Sequence, residues 1–125
     1  GYSSAASDVY KRQLHEVAEF EDVIIACGGG TPCFFDNMEY MNGKGETVFL
    51  DASPEVLFRR LKIAKSKRPL LMDKSDEELM DVIQNALRIR IPFYSQAKYV
   101  FNAESLEDRE QISCSVQRLK TLLLN

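Results

Sequence analysis

The strongest constraint on the fold is an alternation of continuous apolar runs with amphipathic segments. Three runs rich in β-branched and aromatic residues predict buried strands, at Val23–Cys27, Thr47–Leu50 and Tyr99–Phe101. A continuous apolar run, unlike an alternating one, is typical of a strand covered on both faces. Strands that alternate with helices pair in parallel through right-handed crossovers. The pattern therefore predicts an α/β domain with a parallel sheet.

Apolar residues at helical spacing predict the remaining elements. The predicted helices lie at Leu14–Phe20 and Phe34–Met41, and begin at Ser53, Ser75 and Ser105. The last helix is expected to carry Ile112, Val116, Leu119 and Leu123 on one side.

Local signals place the helix ends. Ser53 is expected to cap a helix whose first residue is Pro54. Ser75 with Glu78 three residues later predicts a capping box. The fourth helix is expected to end or kink at Pro92, because proline lacks the backbone N–H. The segment Asn42–Gly45 predicts a turn.

Composition excludes several classes of partner. The 125 residues suffice for one domain, and a net charge of -3 argues against general nucleic-acid binding. No apolar run approaches the roughly 20 residues of a membrane span. The three cysteines, Cys27, Cys33 and Cys114, lack metal-site spacing, and His15 is expected at the surface. The number and spacing of the cysteines predict buried or incidental thiols in a cytoplasmic protein, and no metal site.

The first thirteen residues, Gly1–Gln13, are expected to be non-native. They are small and polar at first, and Asp8–Gln13 resembles the translation of a transposon end used in sequencing libraries. The alternative is a natural polar N-terminal arm. Native sequence is therefore expected from Leu14.

Three consecutive glycines, Gly28, Gly29 and Gly30, follow the first predicted strand. Without Cβ atoms they leave bare backbone that a small polar substrate can approach closely. Ligands of open α/β sheets bind beyond the carboxyl ends of the strands. A tight strand-to-helix turn explains the glycines equally well.

Two arginines, Arg68 and Arg90, stand near a proline at the end of an element, where a guanidinium can grip a carboxylate or phosphate. Lys62, Lys65 and Arg88 are expected to be solvated helix ends, and Arg59–Arg60 to lie at the surface. A phosphate-binding GxxxxGK[ST] loop is absent from this sequence.

Four segments in register resemble the shikimate kinase family, from Leu14 to the C-terminus. They are Gly28–Pro32, Ser53–Leu61, Arg68–Leu71 and Arg90–Tyr94. The resemblance implies a three-layer α/β/α P-loop kinase fold with a parallel sheet. It also implies ATP-dependent phosphorylation of the shikimate 3-hydroxyl, with Mg²⁺, on the route to chorismate and aromatic amino acids.

The resemblance also implies roles for residues. Gly28, Gly29 and Gly30 would form the substrate turn, with the Gly29 backbone offered to shikimate, and Arg90 would bind the shikimate carboxylate. Arg68 would close over the ATP phosphates as a catalytic and ATP-binding residue, within a lid spanning residues 62–75. The implied protein is a cytoplasmic monomer whose partners are shikimate and ATP.

The chain departs from the family pattern at its start. The family's first strand, phosphate-binding loop and substrate aspartate have no counterpart, so residues 14–125 are expected to be a partial, inactive domain that lacks the N-terminal strands. The main ATP and Mg²⁺ ligands are expected in the N-terminal part of the family's domain, which has no counterpart in this sequence. The loop Asn102–Ser105 offers no arginine for adenine. The alternatives are another small-metabolite P-loop kinase, such as a gluconate kinase, and a non-catalytic α/β binding or regulatory module.

Overall fold

The computed structural model describes residues 9, 11–16, 23–64 and 73–124. Arg68 and most of the predicted lid lie outside these residues. Residues 11–16 are helical. The elements that follow are a 3₁₀ turn at Thr31–Cys33, α1 at Asn37–Lys44, β1 at Val48–Asp51, α2 at Pro54–Ala64, α3 at Asp76–Tyr94, β2 at Tyr99–Asn102 and α4 at Arg109–Leu124.

The chain divides into two compact units. The first comprises Gly1–Phe49 with Arg90–Tyr99, and the second comprises Leu50–Ile89 with Val100–Asn125. No helix among the described residues is long and apolar enough to cross a membrane.

The strands predicted at Thr47–Leu50 and Tyr99–Phe101 are present as β1 and β2, and they are neighbours in one sheet. In the first unit the Tyr99 N–H donates to the Thr47 carbonyl at 3.1 Å, and in the second the Ala103 N–H donates to the Asp51 carbonyl at 2.7 Å. Both residue numbers rise together along the pair, so the strands are parallel. The predicted burial of the two strands is wrong at Leu50 of β1 and at Val100 of β2, which are 58% and 57% exposed.

The predicted buried strand at Val23–Cys27 is wrong. The segment has no strand assignment, and Ile24 is fully exposed, with Val23 and Ile25 also exposed. A strand needs a hydrogen-bonded neighbour, and none of the described segments pairs with this one. Apolar sequence favours an extended backbone here, but it cannot provide the partner.

Helix α1 starts three residues later than predicted. Phe35 has a φ of 48°, a left-handed conformation that the start of a helix cannot include. The 3₁₀ turn is tied to α1 by Asn37, which is fully buried and donates from Nδ2 to the Thr31 carbonyl at 2.8 Å. The helix then continues through Gly43, so the predicted turn at Asn42–Gly45 is also wrong.

His15 is another departure from prediction in the first unit. Its ring stacks on Tyr40 of α1, with centroids 3.7 Å apart, and the residue is half-buried rather than at the surface. Its neighbour Leu14 is buried. The predicted helix Leu14–Phe20 is therefore confirmed as far as residue 16, and residues 17–20 lie outside the described residues.

In the second unit, helices α2 and α3 begin at the caps predicted from the sequence. The Val56 N–H donates to Ser53 Oγ at 3.3 Å, which confirms the serine cap of α2. The reciprocal bonds of the capping box join Ser75 and Glu78 at 3.1 and 3.2 Å. Satisfied end groups explain why these two helices begin where the sequence predicts.

Helix α3 does not end at Pro92, one of the two outcomes predicted there, and helix α4 begins later than predicted. Helix α3 runs through Pro92 to Tyr94, because a proline near the last turn forfeits only one hydrogen bond and the Ser95 N–H still donates to the Ile91 carbonyl at 2.8 Å. Helix α4 begins after Asp108, whose Oδ1 accepts from the Gln111 N–H at 2.8 Å, and not at Ser105.

The predicted apolar side of α4 is only partly covered, because Leu119 and Leu123 are half-buried. Ile112 and Val116 are exposed, whereas Ser115 is buried and donates to the Ser105 carbonyl at 2.8 Å. Arg118 donates to Ser115 Oγ at 3.0 Å and lies 5.4 Å from the ring centroid of Phe101. A polar contact with the preceding loop therefore sets the rotation of the helix.

Candidate functional site

Gly28, Gly29 and Gly30 form a turn, called the glycine turn below, whose carbonyl groups all accept hydrogen bonds from the protein. The Gly28 carbonyl accepts from the Thr31 N–H at 3.2 Å, and the Gly30 carbonyl accepts from the Cys33 N–H at 2.9 Å. The Gly29 carbonyl accepts a hydrogen bond from the Tyr94 hydroxyl. Within the described part of the chain, no group accepts from the N–H groups of these three glycines. The turn therefore presents backbone donors without acceptors, which suits an anionic or hydroxylated ligand.

A side chain at position 29 would crowd the ends of two neighbouring side chains. A Cβ atom there would lie 2.7 Å from Nη1 of Arg90 and 3.1 Å from the Tyr94 hydroxyl. No described glycine has a positive φ, so backbone conformation does not disfavour a side chain there. At Gly28 the nearest atom to an added Cβ is Thr31 Oγ1 at 4.0 Å. The two adjacent glycines therefore differ in what an added methyl group would displace.

Arg90 and Tyr94 reach the turn from the last part of α3. Residues four apart on a helix lie on the same face, so both side chains come from one surface. The Tyr94 ring packs on Phe49 of β1, with centroids 5.2 Å apart and planes tilted by 47°. The structure thus brings Arg90 next to Gly29, 61 residues earlier in the sequence, two residues for which the resemblance implies one common substrate.

Cys33 is a third neighbour of Gly29. Its thiol lies 3.8 Å from the Gly29 carbonyl oxygen, and the residue is half-buried. Burial raises the pKa of the Cys33 thiol, and the positive charge of Arg90 opposes part of that rise. The protonated thiol is therefore favoured beside the turn. Cys27 and Cys114 are free and exposed, which fits incidental rather than buried thiols.

Sequence reasoning missed the roles of Tyr94 and Cys33 in this cluster. Tyr94 belongs to a quoted motif, and its position four residues after Arg90 was the available signal. Cys33 likewise follows Gly29 by four residues, but the 3₁₀ turn that brings it back was not predicted. The other predicted site residue, Arg68, lies outside the described residues.

The second unit holds the remaining basic residues that the sequence marked. Arg59 and Arg60 both pair with Glu107, at 2.8 and 3.3 Å, and Arg60 also donates to the Glu104 carbonyl at 2.8 Å. Hydrogen bonding from Arg59 is the main cause that lowers the pKa of Glu107. Arg59 is exposed as expected, but Arg60 is half-buried, so its predicted surface position is wrong.

Solvated helix ends were expected at Lys62 and Arg88, and both are exposed. Lys62 pairs with Asp76 at 3.1 Å, and Arg88 donates to Asn85 on its own helix at 3.3 Å. Neither contact involves the glycine turn. Lys65 lies outside the described residues.

Comparison with known proteins gives one consistent family. The family model for shikimate kinase matches residues 8–120. A shikimate kinase from Phocaeicola vulgatus is 63% identical over 116 residues, which cover 93% of this chain and 66% of the relative. One from Bacteroides thetaiotaomicron is 62% identical with the same coverage. A more distant one from Caldicellulosiruptor saccharolyticus is 35% identical over 96 residues.

A solved structure shows the same likeness. The 1.7 Å crystal structure of shikimate kinase from Bacteroides thetaiotaomicron matches with a TM-score of 0.92 at 60% identity, covering 95% of this chain and 68% of that one. The predicted α/β/α P-loop kinase fold with a parallel sheet is thereby confirmed. The chain spans about two thirds of the length of the curated relatives it matches.

Proposed function

Because this chain belongs to the shikimate kinase family, we propose that the protein transfers a phosphoryl group from ATP to the 3-hydroxyl of shikimate. Within that activity, this chain supplies the site for the shikimate carboxylate, formed by Gly28, Gly29, Gly30 and Arg90. The observation that carries the proposal is the approach of the Arg90 guanidinium to Gly29, where an added Cβ would lie 2.7 Å from Nη1.

The chemistry of the cluster suits a hydroxylated carboxylate. Arginine is always charged and presents a planar fork of donors that matches a carboxylate. The N–H groups of the glycine turn, which have no acceptor among the described residues, add short-range donors beside the guanidinium. The missing Cβ atoms let the ligand approach. Together they can hold the carboxylate end of shikimate, which orients its hydroxyl groups.

ATP and Mg²⁺ enter the proposal through the family alone. Bound ATP would supply the phosphoryl group, and Arg68 is proposed to contact its phosphates. In the described ranges, no group of three or more His, Cys, Asp or Glu residues could hold a metal ion. For the described glycines and Arg90 we propose that they bind and orient the substrate.

Shikimate binding by this chain tests the carboxylate site. The dissociation constants of shikimate and its methyl ester are measured by ligand-observed NMR. Because Arg90 contributes charge-assisted hydrogen bonds, we expect the ester to bind about 10-fold to 100-fold more weakly. Arg90→Lys should reduce this preference, whereas Arg88→Lys, two residues away on the same helix and exposed, should keep it. Equal binding of acid and ester by the wild-type chain would refute the proposal.

Phosphoryl transfer needs a separate measurement. In a hybrid protein, the matching 116 residues of this chain replace their counterpart in the Bacteroides thetaiotaomicron relative. The unaltered relative is the control. Shikimate-dependent release of ADP supports the proposed reaction. A folded hybrid that binds shikimate and releases no ADP would favour the alternative of a non-catalytic binding module.

A further inference from the structure

We infer that Tyr94 is a positioning residue, whose hydroxyl fixes the orientation of the peptide between Gly29 and Gly30. This inference rests on the proposed function, because the peptide so oriented belongs to the proposed carboxylate site. Its basis is the hydrogen bond from the Tyr94 hydroxyl to the Gly29 carbonyl.

Peptide geometry connects this bond to the ligand side of the turn. A peptide unit is planar and trans, so the Gly29 carbonyl and the Gly30 N–H point in opposite directions. Holding the carbonyl towards Tyr94 therefore turns the Gly30 N–H away from Tyr94. That N–H has no acceptor among the residues described, and it is one of the donors proposed for the carboxylate.

The tether matters because the turn consists of glycines. Glycine backbone samples more conformations than any other residue, and ordering it costs correspondingly more entropy. Tyr94 can resist this freedom because its ring packs on Phe49 while its hydroxyl reaches Gly29. The Tyr94 side chain thus links the turn to β1, with its hydroxyl bonded to Gly29 and its ring packed on Phe49.

A direct catalytic role for Tyr94 does not follow from this geometry. A tyrosine hydroxyl carries a single donor proton, and here that proton goes to the Gly29 carbonyl. The residue therefore acts on a ligand through the peptide. Arg90 shares its helix face, so the same tether also keeps Gly29 next to the guanidinium.

The test is Tyr94→Phe in this chain, which removes the hydroxyl and keeps the ring on Phe49. Tyr99→Phe is the matched control, because the Tyr99 hydroxyl bonds to Glu46 instead. We expect Tyr94→Phe to weaken shikimate binding about tenfold, the effect of losing one well-placed hydrogen bond. Tyr99→Phe should change it less than twofold.

A readout without ligand separates positioning from general stability. In ¹³C,¹⁵N-labelled chain, Tyr94→Phe should shift the Gly29 carbonyl and Gly30 amide resonances, and Tyr99→Phe should not. Unchanged resonances in Tyr94→Phe, or equal loss of binding in both variants, would overturn the inference. If the wild-type chain does not bind shikimate, the proposed function fails, and the ligand-free resonances alone decide whether the tether exists.

Discussion

Replacing Gly29 with alanine tests the spatial logic of the candidate site. The new Cβ would lie 2.7 Å from Arg90 Nη1, which must retreat by roughly 0.7 Å to reach ordinary contact at 3.4 Å. The same change at Gly28 meets nothing closer than 4.0 Å. Neither glycine has a positive φ, so alanine fits the backbone at both positions. Comparing Gly29→Ala with Gly28→Ala therefore separates the effect of displacing the Arg90 guanidinium from the effect of adding a methyl group to the turn.

The magnitude follows from the hydrogen bonds that a displaced Arg90 would lose. A hydrogen bond to a charged group is worth about 1.5–3 kcal/mol, which corresponds to roughly 10-fold to 150-fold in the dissociation constant for shikimate. The free energy of unfolding should change by less than about 1 kcal/mol, because flexible side-chain ends can yield and alanine restricts the unfolded chain. Gly28→Ala should leave the dissociation constant within about twofold.

The assay is titration with shikimate by ligand-observed NMR, with urea denaturation of each variant alongside. Weakened binding in Gly29→Ala with preserved stability supports the reasoning. Wild-type affinity in Gly29→Ala would refute it, as would equal weakening in Gly28→Ala.

Three further predictions concern stability in the second unit. Ser75→Ala removes one half of the capping box and should lower the free energy of unfolding by about 1 kcal/mol in urea denaturation; no change would show that the cap is dispensable. Ser115→Ala leaves the Ser105 carbonyl without its buried donor and should cost about 1–3 kcal/mol in the same assay, whereas exposed Ser113→Ala should cost little. The pKa of Glu107 is lowered, first by its hydrogen bond with Arg59, so its contribution to stability exists above the carboxyl's unfolded pKa and is lost as pH falls through the folded one. Glu107→Gln should therefore flatten the acid side of the stability profile, and an unchanged profile would contradict this.

Helix starts were predictable from sequence where the signal is local. The caps at Ser53 and Ser75 depend on partners three residues away, so residue type and spacing suffice. The start of α4 was misplaced because both Ser105 and Asp108 can cap a helix. The Ser105 carbonyl instead accepts from Ser115, ten residues later, and this contact is not visible in local spacing.

Burial was less predictable than element type. The stripe with Ile112 and Val116 has helical spacing, yet both are exposed and Ser115 is buried. Likewise, Val23–Cys27 has the composition of a strand without a neighbouring strand among the described residues. Composition states what a segment would gain by burial, but only packing decides which face is covered.

In the candidate site, too, local sequence patterns predict some features and tertiary packing decides the others. By itself the sequence determined the strands β1 and β2, the helix starts capped at Ser53 and Ser75, and the presence of three consecutive glycines, because these depend on residue type and short spacing. Only the tertiary structure decided that Arg90 lies against Gly29 and that the Tyr94 hydroxyl, 65 residues further along the chain than Gly29, donates to the Gly29 carbonyl. Residues 90–94, the end of α3 that belongs to the first unit, must pack beside the turn, and that packing depends on contacts summed over the unit, which no local pattern encodes.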